Sequence, residues 1–86
     1  MAGVEEVRAG IALAKDKASA GIAALQQAAM ALEEAQQTLS HATSGSSQQE
    51  VSQAHGMLAE AIQGISGTQS TVEGAISSAE SYAARL

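Results

Sequence analysis

The sequence predicts an all-α fold: one antiparallel two-helix hairpin, coiled-coil-like along its seam, that completes a four-helix bundle on dimerisation. Three observations predict it. Apolar residues recur every seven residues through both halves of the chain. Proline, which interrupts long helices, is absent. The one strong breaker cluster, Ser44-Gly45-Ser46-Ser47, falls at the midpoint.

The first helix is expected over residues 4–42. Its heptads place Val4, Ile11, Ala18, Leu25, Leu32 and Leu39 at position a, and Val7, Ala14, Gly21, Ala28, Ala35 and Ala42 at position d. Glu5 and Glu6 fall in the first turn, where negative charge suits the helix dipole. Residues 43–47 form the turn. The second helix is expected over 48–84, with Ser46 or Ser47 as its cap and Glu50 near its start. Its a positions are Val51, Leu58, Ile65, Val72, Ala79 and Leu86, and its d positions Ala54, Ala61, Thr68, Ala75 and Tyr82. Large a against small d makes a consistent antiparallel seam. Leu39 falls level with Ala54, Leu32 with Ala61 and Ile11 with Tyr82. That register puts the fold-back between Ser46 and Ser47, inside the turn. Residues 1–86 are read as one domain.

The chain has 86 residues and a formal net charge of −5, with Arg8, Lys15, Lys17 and Arg85 as its only Lys or Arg residues. This balance argues against nucleic acid or anionic membrane as a partner. Cysteine, phenylalanine and tryptophan are absent, and Tyr82 is the only aromatic residue. Disulfides and thiolate metal sites are thereby excluded. No run approaches the ~18 apolar residues of a transmembrane segment. The start, MAGVEEVRAG, carries acids where a signal peptide carries Lys or Arg. The expected location is cytoplasmic, or secreted without a cleavable signal peptide.

A two-helix rod of this size leaves its seam half wet, and no disulfide is available to staple it. Association with a protein partner is the remaining common route, as a homo-oligomer or a heterodimer. The e positions suggest the surface: Ile22, Ala29, Ile62, Ile76 and Ala83 form an aliphatic flank beside the a/d seam and are the candidate interface.

Candidate chemistry is sparse. His41 and His55 flank the turn at c and e, without the E-x-x-H or H-x-x-x-H spacing of a helical metal site, and are read as solvent-exposed. Glu5-Glu6 and Glu33-Glu34 occupy b and c and read as solvated helix face. Gly64-x-x-Gly67 lacks phosphate-loop spacing and reads as a place of close helix approach. No Ser/His/acid set converges. No catalytic, cofactor-binding or metal residue is assigned, and the chain is not expected to be an enzyme.

A chain this short, forming one helical hairpin rich in Ala, Gly, Ser and Gln, resembles the WXG100 (ESAT-6-like) proteins of type VII secretion, particularly high-GC actinobacterial ones. The resemblance covers the whole chain in architecture. It implies side-by-side dimers forming four-helix bundles, acting as secretion substrates or as partners or chaperones of larger effectors. Two family motifs are incomplete. The turn has Gly45 but no Trp-x-Gly, and Tyr82 is followed four residues later by Leu86 in place of an acid. Only the hairpin and the dimer habit are therefore carried over. Two other readings suit the same rod: a structural subunit of a helical filament or needle-like assembly, and a soluble adaptor sheathing a partner helix.

Overall fold

The computed structural model describes residues 3–86. The chain is all-α. Helix α1 spans Val4–Ala42 and helix α2 spans Gln49–Ala84, packed as an antiparallel hairpin. The rod measures 63 × 17 × 16 Å. Both helices run without a break, as the lack of proline allows.

The helix ends are closed mainly by backbone. Glu5 and Glu6 lie in the first turn of α1, and Glu50 in that of α2, beside the free N–H groups. Thr43 ends α1: its N–H donates to the Leu39 carbonyl at 3.0 Å and its hydroxyl donates to the same oxygen at 2.6 Å. The Ser46 N–H then donates to the Thr43 carbonyl at 2.9 Å. Gln48, not a serine, is the N-cap of α2, and it makes no side-chain cap bond. The Ser46 hydroxyl instead accepts the Gln48 N–H at 3.3 Å.

Gly45 makes the reversal possible. Its φ is +83°, the only positive φ among the described residues. A Cβ there would meet nothing within 4 Å, so space is not the constraint. The left-handed backbone itself costs an L-residue ~1–2 kcal/mol. Gly45→Ala is therefore expected to lower stability by about 1 kcal/mol, and Gly45→Asn by less, since Asn tolerates this region. Urea melts of the three proteins at one concentration check this, and an unchanged alanine variant would mean that the turn has no need of the left-handed residue.

The seam differs from the expected one. No described residue is buried. The half-buried residues of α1 are Val7, Ile11, Ala18, Ile22, Leu25, Ala29, Leu32, Gln36 and Leu39. From Ala18 onward their spacing alternates between four and three, which is the a and e lines. In α2 the series Val51, His55, Leu58, Ile62, Ile65, Gln69, Val72, Ile76, Ala79 and Ala83 follows the same rule. The d line is exposed except at Val7 and Ala54. So large a packs beside e, not against small d. Side-chain volume is the reason. The e line offers Ile22, Ile62 and Ile76, where d offers Gly21, Ala61 and Ala75. Burying an isoleucine is worth ~1.5–3 kcal/mol, far more than an alanine methyl.

The polar members of the e line are accommodated at their stems. Lys15 reaches across the seam to Glu80, with Nζ 3.1 Å from the carboxylate. Both side chains stay about half exposed, at 53% and 47%, so the pair contributes less than ~1 kcal/mol. Arg8 makes a looser contact with Glu5 at 3.7 Å along α1.

Candidate interaction surface

Two shallow clefts flank the seam near the open end of the hairpin. One is lined by Arg8, Ile11, Ala12, Glu80, Ala83 and Ala84. The next is lined by Lys15, Ala18, Ser19, Ile22, Glu73 and Ile76. The Lys15–Glu80 pair lies between them. These linings orient the rod. Ala12, Ser19, Glu73 and Glu80 are all b positions, so the b lines of both helices border one side of the seam. In an antiparallel pair the d lines then border the other.

The candidate interface residues Ile22, Ala29, Ile62, Ile76 and Ala83 thus lie at the seam of the hairpin itself, each half-buried. They are not an uncovered stripe beside it. The e line carries more apolar volume than the d line and so takes the place at the seam that the heptads alone assign to d. What the hairpin leaves open is the opposite flank. Its d and g positions include Ala14, Gly21, Ala28, Ala61 and Ala75, all exposed. Tyr82, at d, and Met57, at g, are its large apolar members, 48% and 70% exposed.

Charge is distributed unevenly along the rod. Arg8, Lys15, Lys17 and Arg85 all sit toward the open end, where α1 begins and α2 ends. The turn half carries Glu33, Glu34, Glu50 and Glu60 with no Lys or Arg. This polarity appears only once the fold-back brings Arg85 to the same end as Arg8. The d/g flank has little charge of its own: Lys17 and Arg85 at the open end, and Glu50 at the turn end.

Among the described residues, no group of three or more His, Asp or Glu side chains could hold a metal ion. His41 is exposed, but His55 is half-buried at the seam rather than solvent-exposed as expected. Gly64 and Gly67 do not mark a close approach within the hairpin: a Cβ at either would meet nothing within 4 Å. Their carbonyls accept the Thr68 and Thr71 hydroxyls at 2.9 and 3.0 Å, ordinary back-bonds to the preceding turn. No described helix is long and apolar enough to cross a membrane.

No family model matches the chain, and no characterised protein or solved structure is significantly similar to it.

Proposed function

We propose that this chain is a non-enzymatic helical interaction protein that acts as one half of a homodimeric four-helix bundle. The observation that carries the reading is the surface the hairpin leaves open. The chain exposes 6140 Å². A folded monomer of 8.6 kDa exposes about 4,700 Å². The excess of ~1,400 Å² relative to that monomer scale goes with the lack of any buried residue among the described ones. A single seam between two helices wets both of its edges, and a second hairpin would dry one of them.

The resemblance to WXG100 proteins gives this bundle a setting in type VII secretion, as an exported substrate or as the partner or chaperone of a larger effector. The hairpin shape and the unburied surface are what support that setting.

Sedimentation equilibrium on the purified chain tests the dimer. The expected result is a single species of twice the 8.6 kDa chain mass at micromolar concentration. A monomer over that range would overturn the proposal. A broad distribution of high masses would replace it with the filament reading.

A further inference from the structure

We infer that the second copy lies on the d/g flank and runs antiparallel to the first, with Glu50 of each chain against Arg85 of the other. The inference rests on the dimer reading and adds its face and its direction.

The choice of face follows from charge and shape. The b side of the seam is bordered by Glu5, Glu33, Glu73 and Glu80. Two copies meeting there would bring eight carboxylates together with only Arg8 and Lys15 of each chain to offset them, and would strip water from them, a repulsive and costly arrangement. The d/g flank carries three charges in all, and its alanines and glycines let a second pair of helices approach closely. A face of 63 × 17 Å has a footprint of about 1,000 Å², above the ~800 Å² per partner of a standard interface.

The direction follows from the ends. Two copies stacked on this face in antiparallel sense set α2 on α2. Glu50 lies in the first turn of that helix and Arg85 follows its last residue, so each Glu50 falls level with the Arg85 of the second copy. This gives two identical pairs, as an isologous interface requires. The same register sets Met57 level with Ser78 and Tyr82 within one residue of Ala54, large against small at both ends. A copy running the other way would stack α2 on α1. It would gather Glu33, Glu34, Glu50 and Glu60 of both chains at one end and leave Glu50 and Arg85 without partners.

The lack of native cysteine allows a clean test. Glu50→Cys and Arg85→Cys chains are prepared separately, mixed, refolded together and treated with a short bismaleimide. A cross-linked dimer should form in the mixture and in neither variant alone. Cross-linking of Glu50→Cys to itself, or none in a mixture that sediments as a dimer, overturns the face or the direction while leaving the dimer standing. A mixture and a parent chain that both sediment as monomers would remove the dimer and this inference together.

Discussion

Replacing Ile22 and Ile76 together by aspartate is expected to unfold the hairpin and abolish most of its helical circular dichroism. Both side chains are half-buried and line one cleft between α1 and α2. At half burial each isoleucine contributes about 1–1.5 kcal/mol that the variant loses. Each new carboxylate also enters a partly dehydrated site, and only Lys15 is at hand in that cleft to offset the charges. Glu73 borders the same cleft and adds repulsion. The summed cost is ~3–5 kcal/mol, at the upper end of what point changes produce. Small domains have only ~5–15 kcal/mol in total, and a chain with no buried residue among those described belongs near the bottom of that range. Ala20→Asp, on the outer surface at c, is the control and should cost less than ~1 kcal/mol. If the double variant kept its helix signal and melting curve and lost only its dimer mass, the isoleucines would face a partner rather than the seam.

The extent to which this fold can be read from the chain follows from what periodicity specifies. The uninterrupted heptads and the cluster Ser44 to Ser47 specify two long helices and the place where they reverse, and Val4–Ala42 followed by Gln49–Ala84 is that hairpin. Periodicity also identifies the a line, since a is occupied by the large residues. It does not say which neighbour of a joins it. On a helix of 3.6 residues per turn, d and e flank a at similar angles, about 60° and 40°. A seven-residue repeat is compatible with either. Only the side chains decide, and the three isoleucines at e outweigh the alanines and glycine at d. Once e is placed inside, the open flank changes sides, and the candidate surface moves from an isoleucine stripe to an almost uncharged face of small residues. His55 is drawn half inside for the same reason, because it shares the e line with Ile62 and Ile76. The end-to-end charge polarity depends on three-dimensional adjacency of residues 8 and 85, which no local pattern encodes.

The second large effect is a gain. Gly56, Gly67 and Gly74 lie at f and c on the outer surface of α2, exposed, and a Cβ at each would meet nothing within 4 Å. Their helical backbone suits alanine, which loses less conformational entropy than glycine on folding. Each replacement is worth about 1 kcal/mol in a helix interior. The sites are about 10 Å or more apart along the helix, at 1.5 Å per residue, so the gains should nearly add. Gly56→Ala, Gly67→Ala and Gly74→Ala together are expected to stabilise the protein by ~2–3 kcal/mol, the sum of three such gains. For a domain of this size that corresponds to a thermal midpoint raised by about 10–20 °C. Circular dichroism melts must be compared at one protein concentration, because association in the proposed dimer would make the midpoint depend on it. No rise would mean that another chain approaches this outer surface closely enough to require glycine there. Gly21 and Gly64 supply the contrast. They are equally open in the single hairpin, but they lie on the d/g flank, where a second copy would meet the added methyl groups. Alanine at those two positions should therefore gain less than at the outer three, or lose stability. An equal gain at both sets would remove close packing from the d/g flank.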